Sequence, residues 1–456
     1  MRTLLIYPAS ISDYSNKPFY IPAIALLSGI IRNAGHPTKF LQFLTSDFEA
    51  RFSGAIHEFN PDIIMISINV EQVKNAKEIL SFLNMNYPEI KVLIGGPQST
   101  IAPEEFLREF KNIYAVVIGF CESIINDLLY SISIKEYYLP INNVWYNSKE
   151  GTLKNNIIYS EFEDKPWLPD LEVFREQIEM IGEKEFAKTI CFVGSRGCPF
   201  TCTYCFESGY AKVFNSKNRI TKYKKVDNLI LEILHLRKQL NFEYVNFYDN
   251  IFGLNKVWLR EFMEKYTKHI GLPYMCFNHF DCLDDEKINL LKESNCDTMV
   301  LGLESGSESL RKSILNRHIT NSRIREVGSK IRQAGIKLIT FNMIGLPYET
   351  EDDIIQTIKL NHDLKAYPWI YIYQPYKYTT LFDTCNEQGL LYYEETEELF
   401  KIRNPTISED KVKLYFSLFR ELVKTPDAVS LVKIRTNECH QKRQEKIVGN
   451  DILPVS

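Results

Sequence analysis

The chain contains no apolar run of the ~18–20 residues that a membrane-spanning helix needs. Its opening, MRTLLIYP, lacks the pattern of a cleavable leader. Both absences lead to the expectation of a soluble, cytoplasmic protein with no membrane partner. A dominant charge is missing too: 54 Lys and Arg face 58 Asp and Glu, giving a formal net charge of -4 and an isoelectric point near 6.1. Without a basic field, nucleic acid is excluded as the main partner. No internal repeat or low-complexity tract occurs, so the chain is not a repeat array. What remains is an ordinary globular composition, 45% apolar and 25% charged over 456 residues. That length can bury two or three cores at roughly 100–200 residues each. The ten cysteines are then expected in a reducing compartment, where thiols serve metals rather than disulfides.

Three of those cysteines are concentrated in Ser195-Arg196-Gly197-Cys198-Pro199-Phe200-Thr201-Cys202-Thr203-Tyr204-Cys205-Phe206, a C-x3-C-x2-C spacing just after the apolar run 190–193. Three thiolates on one short loop can face a single point, and soft ligands of this kind select zinc, copper or iron–sulfur clusters. Structural zinc wants a fourth Cys or His close by. The next downstream candidates are His235 and Cys276, and upstream Cys191 lies inside the apolar run. Three ligands and one open position suit a [4Fe–4S] cluster with one iron left for a substrate or cofactor. Zinc and three plain buried thiols are the alternatives.

Residues 1–135 alternate short apolar strands (4–7, 40–43, 63–68, 92–94 and 115–118) with helical patterns at 21–34, 48–59, 71–87, 102–110 and 123–131. Continuous apolar strands joined by helical crossovers predict a doubly wound parallel sheet, Rossmann-like, an α/β fold. Ligands of such sheets bind outside the carboxyl ends of the strands, here 8–10, 68–70, Gly95-Gly96-Pro97-Gln98 and Gly119-Phe120-Cys121-Glu122. Plain turns are the competing reading of those glycines. Residues 136–188 read as a connector. In it Val144-Trp145-Tyr146 and 156–159 form a hairpin around Lys149-Glu150-Gly151, and Lys165-Pro166-Trp167-Leu168-Pro169-Asp170 crosses to the next domain.

Residues 189–390 alternate again, with strands at 189–193, 244–248, 274–278, 298–301, 337–343 and 370–373 and helices at 226–240, 256–269, 285–293, 321–334 and 351–363. Six strand–helix units predict a partial (β/α)6 TIM-type barrel with its chemistry at the carboxyl ends of the strands. Residues 391–456 are expected to be a small helical region, with helices at 394–401 and 410–423, and a polar tail in which 433–446 is a solvated, doubly charged face. Cys276, Cys282 and Cys296, on separate elements, read as buried thiols.

The cysteine spacing, with Tyr204 just before the third cysteine, is similar to the cluster loop of the radical S-adenosylmethionine (SAM) superfamily. Around the barrel the strand tips resemble one large subfamily of it. Phe247-Tyr248-Asp249-Asn250-Ile251-Phe252 is similar to F-x-D-D-x-F, with Asn250 in place of the second acid. Leu301-Gly302-Leu303-Glu304-Ser305-Gly306-Ser307-Glu308 is similar to G-[LIV]-E-S-G-S. A carboxylate and a hydroxyl leaving a strand tip together suit the ribose hydroxyls and the amine of SAM. A helix N-cap at Ser305 or Ser307, completed by Glu308, is compatible with the same pattern. Asn342-Met343-Ile344-Gly345-Leu346-Pro347-Tyr348-Glu349-Thr350 resembles the stretch that packs on adenine, and Thr350 also reads as a helix cap. The resemblance thus implies SAM contacts at Tyr204, Asp249, Gly302, Glu304, Ser305, Asn342, Gly345 and Leu346, and iron at Cys198, Cys202 and Cys205. The sixth tip, Gln374-Pro375-Tyr376-Lys377-Tyr378-Thr379-Thr380, departs from the usual P-x-P-G-T and would face substrate, and His279 stands where relatives often have Arg.

The first domain resembles the cobalamin-binding domain that precedes the barrel in that subfamily, through Tyr20-Ile21-Pro22, Ala34-Gly35-His36, Gly95-Gly96-Pro97-Gln98, Pro103-Glu104-Glu105 and Gly119 with Glu122. It implies cobalamin contacts at Pro8, Tyr20, Ser67, Gly95, Gly96, Pro97, Gln98, Gly119 and Glu122. D-x-H-x-x-G, which gives cobalt a histidine in many other cobalamin proteins, is absent, and His36 and His57 stand in other contexts. Taken together, the resemblance implies a cobalamin-dependent radical SAM enzyme with three cofactors, a [4Fe–4S] cluster, SAM and cobalamin. It would form a 5′-deoxyadenosyl radical, take hydrogen from an unactivated carbon and methylate it through methylcobalamin. Radical cyclisation or C–C bond formation, for example on a ribosomally made peptide, is the alternative. Methylthiotransfer would want a second cysteine triad, and the first domain holds Cys121 alone. The expected partners are a small-molecule or peptide substrate and a reductant such as flavodoxin or ferredoxin.

Overall fold

The computed structural model describes residues 1–8, 17–43, 49–159, 166–215, 221–394 and 399–428. Among the sequence expectations, residues 9–10 of the first strand tip, Phe48, Lys165 and the stretch 433–446 lie outside the described residues. The chain divides into two compact units: residues 1–201, 205–277 and 290–296 form the first, and residues 202–204, 278–289 and those from 297 onward form the second.

In the first unit the strands β1 (Thr3–Tyr7), β2 (Thr38–Gln42), β3 (Ile63–Ser67), β4 (Lys91–Gly95) and β5 (Ile113–Val117) are parallel. Between them run α1 (Pro22–Asn33), α2 (Glu49–Phe59), α3 (Val73–Asn86), α4 (Pro97–Ile101) and α5 (Pro103–Glu109), and α6 (Ile125–Ser133) follows. The period of two divides the strands' apolar residues between the two faces. Leu4, Ile6, Ile64, Ile66 and Ile94 join a core with Phe52, Ile79, Leu83 and Phe106 from the helices. Leu5, Met65 and Leu93 are buried on the other face. Proline starts α1, α4 and α5, where its missing N–H costs nothing. The helix expected at 102–110 is α5, which Pro103 starts directly after α4 ends.

The expected hairpin is present, with a shorter return. β6 (Val144–Ser148) pairs antiparallel with β5 and with β7 (Gly151–Lys154), completing the sheet order β2-β1-β3-β4-β5-β6-β7. Gly151, at φ +123°, allows a tight loop after Ser148, so the chain returns at 151 rather than 156. Beyond α7 (Arg175–Ile181) and α8 (Glu183–Phe186) come three parallel strands, β8 (Cys191–Phe192), β11 (Val245–Phe247) and β12 (Tyr274–Asn278). They are interleaved with β9 (Ser195–Arg196), α9 (Phe206–Val213), β10 (Lys222–Tyr223), α10 (Val226–Arg237) and α11 (Lys256–His269). β9 and β10 form an antiparallel brace just ahead of the three cysteines.

α12 (Asp285–Glu293) and β13 (Cys296–Glu304) carry the chain into the second unit, where β13, β14 (Lys337–Ile344) and β15 (Tyr367–Ile372) are parallel. Six parallel strands with helical returns amount to six of the roughly eight units of a complete barrel. The helices of the second unit are α13 (Glu308–Ser313), α14 (Asn321–Gln333), α15 (Glu351–Leu364), α16 (Thr380–Glu387) and α17 (Glu409–Lys424). Ser307, Thr320, Thr350, Thr379 and Ser408 each accept a backbone N–H as N-caps, and Thr350 with Asp353 forms a capping box. In the C-terminal region α17 is the helix expected at 410–423. Of the helix expected at 394–401, residues 395–398 lie outside the described residues, and its two ends belong instead to β16 (Leu391–Glu394) and β17 (Leu399–Ile402), which pair antiparallel. The Tyr393 and Phe400 rings meet across that pair at 5.2 Å, a cross-strand contact that outweighs helical charge spacing.

Candidate active site

The cysteine loop begins on a carboxylate. Asp249, at the tip of β11, accepts the Gly194 N–H at 3.0 Å and the Ser195 hydroxyl at 2.5 Å. Burial pushes its carboxyl up to about 6 against these hydrogen bonds. Trp258 lies beneath Gly194, where a Cβ would stand 3.0 Å from the indole. The tip of β11 therefore acts through the loop it anchors, a role the motif did not reveal. Asn250, in the variant position, donates to Glu207 at 2.8 Å. Cys198 and Cys205 are half-buried and Cys202 is buried. Cys205 occupies the N-cap position of α9 without a side-chain capping bond, and the helix dipole there favours an anionic group. Among the described residues no three His, Cys, Asp or Glu side chains converge as ligands of a single ion would. A [4Fe–4S] cluster makes no such demand, since each thiolate binds a different iron.

A cavity of about 470 Å³ lies in the same unit. Its lining includes the apolar side chains of Leu5, Ile24, Leu27, Met65, Leu93, Val117 and Ile125 and the residues Ser67, Gly95, Gly96, Pro97, Gly119 and Glu122. Ser195, Arg196 and Gly197 line it too, with Phe206, Tyr210, Lys224, Glu232, Tyr248 and Asn250. Gly96 has φ +94°, and a Cβ there would stand 2.8 Å from the Ile68 backbone, so the chain approaches itself where only glycine fits. Arg196 pairs with Glu122 and lies 3.8 Å over the Phe120 ring. Burial would raise the Glu122 carboxyl, but Arg196 outweighs it and holds the pKa below the ordinary value. Lys224 pairs with Glu232 nearby. Neither cation was among the sequence candidates: both lie outside the first domain, and nothing in their spacing ties them to it.

The structure brings six of the nine expected cobalamin residues to this cavity. Of the others, Tyr20 is buried among Phe174 and Phe186, and the Pro8 carbonyl accepts the Gln72 amide at 2.7 Å. Gln98 is buried close by, and its side-chain oxygen has no hydrogen-bond partner. An apolar slot with a glycine cradle and an unsatisfied amide fits a large flat ligand carrying amide side chains. The residues present therefore suit cobalamin.

In the second unit, Glu304 ends β13 with φ +65°, a left-handed conformation that costs a non-glycine residue about 1–2 kcal/mol. Its side chain is buried, and burial raises its pKa although Arg317 and Tyr204 oppose the shift. Arg317 lies at the centre of this group. Its guanidinium is 3.9 Å from Glu304, 3.4 Å from the Tyr204 hydroxyl and 3.7 Å from the Cys202 sulfur, and it donates to the Gly302 carbonyl at 2.6 Å. Burial and Arg317 together push buried His279 down to about 2, keeping the imidazole neutral. The backbone of Thr203 is strapped to Leu315 and Leu381, which fixes Cys202 and Tyr204 from both sides.

Ser305 is buried and accepts the Ser307 N–H, leaving Ser307 to cap α13. Asn342 donates to the Trp369 carbonyl and accepts from Asn361, an internal bridge between strands and α15. Gly345, at φ +79°, and Leu346 both direct their N–H groups to the Glu349 carboxylate. Burial pushes that carboxyl up to about 8 despite these two donors. Glu304 and Tyr204 thus line a compact polar group, whereas Ser305, Asn342 and the Gly345–Leu346 amides are engaged inside the fold.

Residues 192–360 match the family model of the radical SAM superfamily and residues 19–129 that of the B12 binding domain. An uncharacterised methyltransferase of Pyrococcus horikoshii is 23% identical over 414 residues, 87% of each chain. Among solved structures, OxsB, a cobalamin-dependent SAM radical enzyme with aqua-cobalamin and SAM bound, superposes with a TM-score of 0.72 at 14% identity, covering 93% of this chain and 72% of its own. The radical SAM methyltransferase TsrM from Kitasatospora setae, with cobalamin and a [4Fe–4S] cluster bound, gives 0.68 at 16% identity over 85% and 75%. These two superpositions establish the fold.

Proposed function

We propose, from the premise that the chain belongs to the radical SAM superfamily and carries a B12-binding domain ahead of it, that it is a cobalamin-dependent radical SAM methyltransferase. In this reading it replaces a hydrogen on an unactivated substrate carbon with a methyl group. The observation that carries the reading is the cavity of about 470 Å³: the glycine tips of β4 and β5 line it together with Ser195, Arg196 and Gly197, the residues leading into Cys198. When bound, the cluster supplies an electron to SAM and cobalamin supplies a methyl group.

The chain's own residues bind, orient and exclude water. Cys198, Cys202 and Cys205 hold the cluster, and Asp249 fixes the entry to their loop. Glu304 and Tyr204 receive the polar end of SAM. Leu5, Met65, Leu93 and Val117 keep the cobalamin slot dry, while the Glu122–Arg196 and Lys224–Glu232 pairs meet the amide rim. The substrate is a small molecule or a peptide segment.

Anaerobic reconstitution with iron, sulfide and hydroxocobalamin tests the reading. About four iron and one cobalt per chain are expected from the cofactor set, and a product heavier by CH2 identifies methylation. A product lighter by two hydrogens would replace methylation with cyclisation, and four iron without cobalt would remove cobalamin from the proposal.

A further inference from the structure

Arg317 is a cation in an expensive place. Its side chain is 5% exposed, and a buried guanidinium costs several kcal/mol unless its charge is met. The carboxylate beside it, Glu304, stands at 3.9 Å and is itself shifted by burial toward its neutral form. The Gly302 carbonyl and the Tyr204 hydroxyl supply dipoles but no charge. Its Nε–H has no hydrogen-bond partner. The remaining contact is with the Cys202 sulfur, 3.7 Å from Nη1. Packing alone gives no reason to direct a buried cation at a thiol.

We infer that Arg317 is a positioning residue for the iron–sulfur cluster, whose guanidinium holds the Cys202 sulfur by an N–H···S contact and raises the cluster's reduction potential. The inference rests on the proposal that Cys202 is a cluster ligand. Three thiolates outweigh the charge of the iron–sulfide core, so the cluster is anionic when oxidised and more so when reduced. A fixed buried cation at one of its sulfurs therefore stabilises the reduced form more. Net charge and hydrogen bonds to sulfur are among the factors that set the potentials of such clusters. The same guanidinium holds the Gly302 carbonyl, two residues before Glu304, so one side chain fixes both a cluster ligand and the strand tip beyond it.

The test uses the reconstituted full-length protein without SAM, titrated with redox dyes while the reduced cluster is followed by electron paramagnetic resonance. Arg317→Gln is expected to load four irons and to show at least a tenfold lower ratio of reduced to oxidised cluster at a fixed potential. For a one-electron couple that is a shift of about 59 mV toward more negative values. Arg317→Lys, which keeps the charge, is expected to fall between Gln and the parent. A fully loaded Gln variant with an unchanged potential would overturn the inference and leave Arg317 as a core ion pair. Should the Gln variant fail to load, Arg317→Met carries the same measurement with the aliphatic packing retained. If neither neutral variant loads iron while Lys does, the charge is required for assembly and the assignment as a tuning residue is overturned. Failure of the parent protein to hold any cluster would instead sink the underlying assignment of Cys198, Cys202 and Cys205.

Discussion

Glu349 shows what a single residue contributes when burial and hydrogen bonding disagree. Its carboxyl sits against the Gly345 and Leu346 N–H groups, yet burial pushes it up to about 8. In the unfolded chain a glutamate titrates near its ordinary value of about 4.3. Folding therefore takes up a proton at pH values between the two, and this contribution to stability is complete below about 4.3 and lost as pH rises through about 8. Thermal melts of the parent and Glu349→Gln from pH 5 to 9 are expected to diverge at up to ~1.4 kcal/mol per pH unit, in favour of Gln as pH rises, and to run parallel above 8. Parallel curves throughout would show the carboxyl to be ionised at all of these pH values. The loop of three cysteines could be proposed from the sequence because thiolate spacing on one loop is a local property. Arg317 was not: it lies 115 residues beyond Cys202, and only the path of the second unit returns it to that sulfur.

At the scale of elements, the caps set helix starts and the strands set what lies at their tips. Thr350 accepts the Asp353 N–H and receives the Asp353 side chain in return, beginning α15 directly after the Gly345–Glu349 turn. Thr350→Ala is expected to lower unfolding free energy by about 1 kcal/mol in a denaturant titration. Asp249→Asn keeps the side-chain shape but weakens its grip on Gly194 and Ser195, and it is expected to reduce iron loading more than thermal stability. Equal loading would show that β9 pairing alone fixes the loop. The parallel strands were readable because buried strands are apolar throughout and their crossovers follow the helical period. The pair β16 and β17 was not, since its acidic residues imitate a helix and the deciding contact, Tyr393 on Phe400, joins residues on different strands.

For the molecule as a whole, cofactor binding and folding are linked. Free hydroxocobalamin at a hundred times its Kd is expected to raise unfolding free energy by ~2.7 kcal/mol, read as an upward shift of the thermal midpoint. Gly96→Ala, which sets a Cβ 2.8 Å from the Ile68 backbone at φ +94°, is expected to lose most of that shift. An undiminished shift would place cobalamin elsewhere. The outline of the fold was available from periodicity, but the cavity was not, because its Arg196 and Lys224 come from segments far along the chain from residues 1–135 whose spacing does not tie them to it. The left-handed backbone at Glu304 bears on how this protein would respond to selection. Glycine there would relieve about 1–2 kcal/mol of strain and lose the carboxylate. That carboxylate also stands beside buried Arg317, and leaving the cation alone would cost more than the strain relieved, so laboratory evolution for heat resistance would keep the strained glutamate and accumulate its stabilising changes elsewhere.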